Sequence, residues 1–290
     1  MKRLTSFPYY GGKFHLVPVL RAMIPPHKTY VEVFCGAANF LLNKDRSNVE
    51  VINDLNSFIT TFFKVLRDEE TRAIFYDRLQ YVPFSREVFN EEKKKYLEGK
   101  FKDDVDKAIC WFVGVRQSMA GIPFKSWKVG KSPVVKLANV WENSKELLLI
   151  LAARLKGVSI ENYSFEKILS IYDSEYIFTY CDPPYIGVQR IEKDVYEFEM
   201  DEALHIRLLK LALKSKGMFL ISGYVNDLYE DYLKDWGRID IKSKNWAKIQ
   251  SKENYKDTGR GSKVETLWFN YIISDKRLVA KFGDTINIVR

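Results

Sequence analysis

An α/β fold interrupted by a helical insert is predicted by three features of this 290-residue chain. First, the strand-like run Thr29-Tyr30-Val31-Glu32-Val33-Phe34 turns through Cys35-Gly36-Ala37-Ala38-Asn39 into an apolar helical stretch, which is how a nucleotide-binding α/β domain begins. Second, from Ser57 to about Leu155 the periodicity is helical, with no convincing strand. Third, alternation of strand and helix then resumes and carries the turn Asp182-Pro183-Pro184-Tyr185. The expected organisation is one domain built from 1–56 and 156–290, with a helical domain at 57–155 inserted into it.

Taken in order, Phe7-Pro8-Tyr9-Tyr10-Gly11-Gly12-Lys13 opens as a turn and leads into a helical pattern with Leu16, Val17, Leu20 and Ile24 on one face, which Pro25-Pro26 ends. The Gly-Gly-Lys lacks the GxxxxGK spacing of a P-loop, and no strand precedes it. Its expected use is to let the backbone pass close to something bound. After the glycine turn, a second strand, Glu50-Val51-Ile52-Asn53, ends at Asp54. Asp54 follows Gly36 at close to the roughly 20 residues at which such folds place an acid to accept hydrogen bonds from ribose hydroxyls. The pyrophosphate fingerprint GxGxxG is missing, which narrows the ligand to an adenosine carrying no pyrophosphate. Helices are expected near 57–67, 70–79, 85–98, 103–116 and 134–155, and further strands near 158–161, 176–179, 218–222 and 264–271.

The turn after the strand near 176–179 has little freedom. Each proline fixes its own φ, and Pro184 also pushes Pro183 towards an extended conformation. Asp182 and Tyr185 are thereby held at a set separation at the carboxyl end of a strand, where open α/β sheets bind ligands.

Composition bounds the class. Hydrophobic content of 46% and charged content of 29% are those of an ordinary globular chain, which excludes disorder and collagen-like repeats. Cys35, Cys110 and Cys181 are widely spaced with no CxxC, and His15, His27 and His205 are equally scattered, so neither a disulfide framework nor a metal site is expected. No hydrophobic signal core and no run of membrane-spanning length is present, which together with the cysteines suggests a cytoplasmic protein with no membrane partner. The net charge of +8 is concentrated. From Arg116 to Lys136 there are five basic residues and no acidic one, and from Lys242 to Lys263 seven basic and two acidic ones. Each window also carries a tryptophan, Trp127 or Trp246, the composition of loops that meet a phosphate backbone and stack on bases. Arg116, Gln117, Lys125, Lys128, Asn245, Lys248 and Arg260 are the side chains there of types that read base edges or phosphates.

Tyr9-Tyr10-Gly11-Gly12-Lys13, Phe34-Cys35-Gly36-Ala37, Asn53-Asp54, Asp182-Pro183-Pro184-Tyr185 and Glu265-Thr266-Leu267-Trp268-Phe269-Asn270-Tyr271, in this order, resemble the DNA adenine-N6 methyltransferases of the Dam type, the D12 class in its alpha arrangement. The resemblance covers nearly all of the chain outside the insert, which corresponds to that family's target-recognition domain. It implies a Rossmann-like methyltransferase sheet, S-adenosylmethionine as methyl donor with no metal, and double-stranded DNA as substrate. By position, Tyr9, Tyr10, Lys13, Phe34, Gly36, Asp54, Phe165 and Asp182 would line the donor site, and Asp182, Pro183, Pro184 and Tyr185 would carry the chemistry. A monomer or weak dimer is expected, bacterial or phage-encoded, with a cognate restriction endonuclease acting separately where there is one. Two departures stand out: Ala38 replaces a common second glycine, and Ser164 replaces an Asp just before Phe165, for which Asn162 or a water could substitute. The alternatives are an N4-cytosine DNA or an RNA methyltransferase, which share the geometry, and a nucleic-acid-binding protein whose active site has decayed.

Overall fold

The computed structural model describes residues 4–130, 136–186, 200–241 and 264–289. In chain order its elements are helix α1 (Val17–Ala22), strand β1 (Thr29–Glu32), α2 (Asn39–Asn43), β2 (Val49–Asn53), α3 (Ser57–Arg67), α4 (Glu69–Gln80) and α5 (Arg86–Glu98). There follow α6 (Asp104–Arg116), α7 (Leu137–Leu155), β3 (Val158–Glu161), α8 (Phe165–Ile171), β4 (Ile177–Cys181), α9 (Glu202–Lys214) and β5 (Met218–Tyr224). The chain closes with α10 (Asp227–Tyr232), β6 (Gly237–Ile241), β7 (Glu265–Phe269), α11 (Asp275–Phe282) and β8 (Ile286–Val289). The class is mixed α/β, as the sequence predicts. No helix among the described residues is long and apolar enough to cross a membrane.

Two compact units divide these residues: 4–17, 35–130 and 136–164 form the first, and 18–34, 165–186, 200–241 and 264–289 the second. The helices α3 to α7 thus share a unit with β2, β3 and the glycine turn.

In the first unit β2 and β3 pair in parallel, from Glu50 opposite Val158 to Asn53 opposite Glu161. The helices start where short polar side chains satisfy their orphan N–H groups: Asn56 accepts from Phe58, Asp68 from Thr71 and Asp103 from Asp106. They close on an aromatic core in which Phe62 of α3 stacks on Phe112 of α6 at 5.7 Å and Trp141 of α7 packs against Phe112 at 5.4 Å. One buried charge ties α7 to the strands. Glu50 on β2 receives Lys44 Nζ at 2.6 Å and Arg154 Nη1 at 2.6 Å. Burial alone would raise its carboxyl, but those two cations outweigh it and hold it below the usual range.

Among its described residues the second unit carries six strands in the order β1-β4-β5-β7-β6-β8. The pairs β1/β4 and β4/β5 are parallel, while β5/β7, β7/β6 and β6/β8 are antiparallel. All five residues of β4 are buried, which is why that stretch reads as a continuous apolar run. Strands β6 and β8 lie where the sequence pattern predicts none. Gly237-Arg238-Ile239-Asp240-Ile241 buries only Ile239 and Ile241, while Arg238 pairs with Asp240 at 2.8 Å and with Glu230 of α10 at 2.6 Å.

Candidate active site

In the first unit the glycine turn is shaped by backbone conformation. Gly36 has φ 46°, and a Cβ there would lie 2.8 Å from the Tyr9 ring, so glycine lets that ring close over the turn. Ala38, at the position where the resembled family has a second glycine, is held at φ 50° in the left-handed region, a strain of about 1 kcal/mol. Asp54 pins the turn from below: its Oδ2 accepts the Gly36 N–H at 2.8 Å and its Oδ1 the Asn56 N–H at 2.9 Å. Burial pushes its carboxyl up to about 6 although both backbone bonds pull the other way. Asn162 is committed to this scaffold, its Nδ2 donating to the carbonyls of Asp54 at 2.7 Å and Leu55 at 3.0 Å. On the other flank Gly12 N–H donates to the Tyr9 carbonyl at 3.0 Å, and the buried Lys13 Nζ donates to the Gly11 carbonyl at 2.6 Å. Tyr10 is exposed. An acceptor carboxylate below a glycine turn covered by an aromatic ring fits the hydroxyl pair of a ribose.

In the second unit β4 delivers Asp182 at its carboxyl end, as the proline turn predicts. Two residues that sequence reasoning did not assign take hold of it. Ser222 Oγ on β5 donates to Asp182 Oδ1 at 2.8 Å, and Tyr180 Oη lies 3.2 Å from the same hydroxyl. Tyr185 Oη donates to Glu265 Oε2 on β7 at 2.9 Å, and its ring meets Tyr224 edge to face at 4.6 Å. Burial, then the charges of Asp182 and Glu265, push the Tyr185 phenol well up, so it remains a donor. Burial likewise pushes the Cys181 thiol up and leaves it without nucleophilic character. Phe34 packs against the buried Phe165 at 5.9 Å within the same unit. A carboxylate oriented by a hydroxyl, next to a rigid aromatic ring, can accept hydrogen bonds from an amine while a planar base stacks beside it.

The residues expected to meet a polyanion fare differently. Gln117 is fully buried: its Nε2 donates to the Pro83 carbonyl at 3.0 Å, and its Oε1 accepts from Trp127 Nε1 at 3.4 Å. Its amide supports the end of α6, which corrects the expectation that it faces a partner. Trp127 packs on Phe84 at 5.0 Å with the Arg86 guanidinium 4.9 Å above it. Arg116 Nη2 donates to the Ser6 carbonyl at 2.7 Å, and burial lowers its guanidinium to about 10. Lys128 Nζ lies 3.4 Å from the Arg116 carbonyl, and burial followed by the Arg116 charge lowers its ammonium. Lys125 is exposed. Asn245, Lys248 and Arg260 lie outside the described residues.

The model of the D12 class N6 adenine-specific DNA methyltransferases matches residues 9–251. The chain is 24% identical over 199 residues to a DNA adenine methylase of Vibrio cholerae, covering 64% of this chain and 66% of that relative's length. It is 24% identical over 275 residues to the type II methyltransferase M1.LlaDCHI of Lactococcus lactis, covering 90% and 93%. It is 23% identical over 245 residues to the type II methyltransferase M.MjaIII of Methanocaldococcus jannaschii, covering 76% and 84%.

Proposed function

The chain belongs to the D12 class N6 adenine-specific DNA methyltransferase family, and from that premise we propose that it transfers the methyl group of S-adenosylmethionine to the N6 amine of an adenine flipped out of duplex DNA. The observation that carries this reading is the hold on the Asp182 turn: a carboxylate oriented by Ser222 at 2.8 Å and a stacking ring anchored to Glu265 at 2.9 Å.

S-adenosylmethionine supplies a methyl group already activated on a sulfonium. The chain's own work concerns the acceptor. An exocyclic adenine amine is a poor nucleophile because its lone pair is delocalised into the ring. The Asp182 carboxylate and the Pro183 carbonyl accept its two hydrogens, which draws the nitrogen towards a tetrahedral shape and directs its lone pair. Tyr185 offers the ring on which the extruded base stacks. The rate gain comes from positioning, and a turn stiffened by two prolines and held through both Asp182 and Tyr185 suits that task. In the first unit, Asp54 is assigned the donor's ribose hydroxyls, Gly36 the close backbone approach, and Tyr9 and Lys13 the methionine end. The helical stretch 57–155 is assigned target recognition, with Lys125 among its contacts to the phosphate backbone.

The test is transfer of labelled methyl from S-adenosylmethionine to mixed-sequence duplex DNA, followed by nucleoside analysis. N6-methyladenine is the expected product, and mapping the modified positions yields the recognised sequence. N4-methylcytosine would keep the mechanism and change the base; no transfer despite donor binding would refute DNA as the substrate.

A further inference from the structure

We propose that Arg116 is a positioning residue of the methyl-donor site: from the end of α6 it holds the Ser6–Tyr9 segment against the glycine turn by donating to the Ser6 carbonyl. The proposal rests on the assignment of Tyr9, Gly36 and Asp54 to the donor.

Residues 5–9 belong to no helix or strand, so no backbone ladder fixes where Tyr9 lies. Side-chain ties do so instead, and Ser6 is held from two directions. Its Oγ donates to the Ala37 carbonyl of the glycine turn at 2.8 Å, and its own carbonyl accepts Arg116 Nη2 at 2.7 Å. Ser6 is fully buried, so loss of Arg116 leaves that carbonyl without a donor among the described residues and favours a shift of the segment. Upstream, Asn43 of α2 exchanges two bonds with the Leu4 backbone, each at 2.7 Å. Downstream, Phe7 meets Trp111 of α6 edge to face at 5.7 Å, and the Tyr9 ring lies 6.5 Å from the same indole.

The segment is therefore clasped between the turn that it covers and the helix behind it. Its downstream end carries the Tyr9 ring, which lies so close to Gly36 that a Cβ there would come within 2.8 Å of it. The loop after α6 adds to the clasp, since a Cβ on Gly121 would lie 2.6 Å from the Pro8 carbonyl oxygen. The Arg116 guanidinium faces this packing: it sits 5.4 Å from the centre of the Phe112 ring, and its Nε is buried. A side chain committed in this way acts on the donor site before DNA arrives. An irregular segment ordered in advance spares the donor the cost of ordering it.

Calorimetry of S-adenosylmethionine binding without DNA reads the effect directly. Arg116→Leu is expected to raise the Kd about tenfold, and Ser6→Ala, which cuts the bond to Ala37, about fivefold. Arg116→Lys, whose ammonium can still donate to the Ser6 carbonyl, is expected to return to within about threefold of wild type. The slope of DNA affinity against salt is expected to stay unchanged in Arg116→Leu, whereas loss of a phosphate contact would reduce it by about one. An unchanged donor Kd in both Arg116→Leu and Ser6→Ala would overturn the proposal, whether the salt slope falls, as for a phosphate contact, or only the melting temperature does, as for a purely structural residue. Should Arg116→Leu fail to fold, Arg116→Gln, too short to reach Ser6, takes its place in each comparison. A wild-type chain that binds no S-adenosylmethionine would refute the donor assignment. Hydrogen exchange at the Gly36 amide would then still decide on the clasp: faster in Arg116→Leu if it holds, equal to wild type if it does not.

Discussion

Ser222 stands beside Asp182 and donates its hydroxyl hydrogen to Oδ1 across 2.8 Å, so the Tyr180 phenol 3.2 Å away must donate to Ser222 in turn. The Tyr180 proton is secure, because burial and then the Asp182 charge push that phenol well above its ordinary value. A chain of two donors thus ends on the carboxylate. Ser222→Ala is expected to leave donor binding intact and to lower kcat by about one to two decades, the size of a hydrogen bond to a charged group. Single-turnover methyl transfer beside calorimetric donor binding checks this; an unchanged kcat would remove Ser222 from the machinery.

Glu265 holds Tyr185 through a bond to a carboxylate at 2.9 Å. Glu265→Gln weakens that bond without emptying the site, and the ring then has to be ordered by the base itself. The KM for duplex DNA is expected to rise about tenfold, with less change in kcat. A target site carrying 2-aminopurine reports the same loss as weaker emission from the flipped base.

With Asp54 assigned the donor's ribose hydroxyls, donor binding is expected to depend on pH. Its carboxyl sits near 6 in the folded chain, against about 3.9 unfolded. Its contribution to stability is therefore full below about pH 3.9 and is lost as pH rises through about 6. Ribose hydroxyls donate to the ionised form, so donor affinity should rise with pH up to about 6 and level off above it. Calorimetry at pH 5 should give binding about tenfold weaker than at pH 7.5, and Asp54→Asn should flatten the profile.

Gly36→Ala and Gly99→Ala separate strain from contact. Both glycines have positive φ, at 46° and 63°, but a Cβ at Gly36 meets the Tyr9 ring at 2.8 Å while one at Gly99 meets nothing within 4 Å. Each substitution is expected to cost about 1–2 kcal/mol in backbone strain. The Gly36 variant should lose more and should also bind S-adenosylmethionine more weakly, because Tyr9 is displaced. Thermal melts with and without the donor check both; equal losses would mean that the Tyr9 contact carries nothing.

What could be read from the sequence alone is what short-range chemistry encodes. The helices from 57 to 155, the glycine turn and the stiff turn at Asp182 follow from periodicity, from glycine's freedom at positive φ and from proline geometry, all of which act over a few residues. The turn at Gly36 and the Asp54 carboxylate beneath it are bonded at 2.8 Å. The tertiary structure alone decided the partners. Ser222 lies 40 positions from Asp182 and Glu265 lies 80 from Tyr185. A serine near a strand end or a glutamate at a strand start looks the same locally whether it grips the Asp182–Tyr185 turn or faces water. Gln117 shows the converse: a polar side chain in a basic window is expected outside, and hydrogen bonds to Pro83, 34 positions away, and to Trp127 offset the cost of burying it. Hydrogen bonds between remote residues depend on how strands pair and helices pack, and no local pattern carries that information.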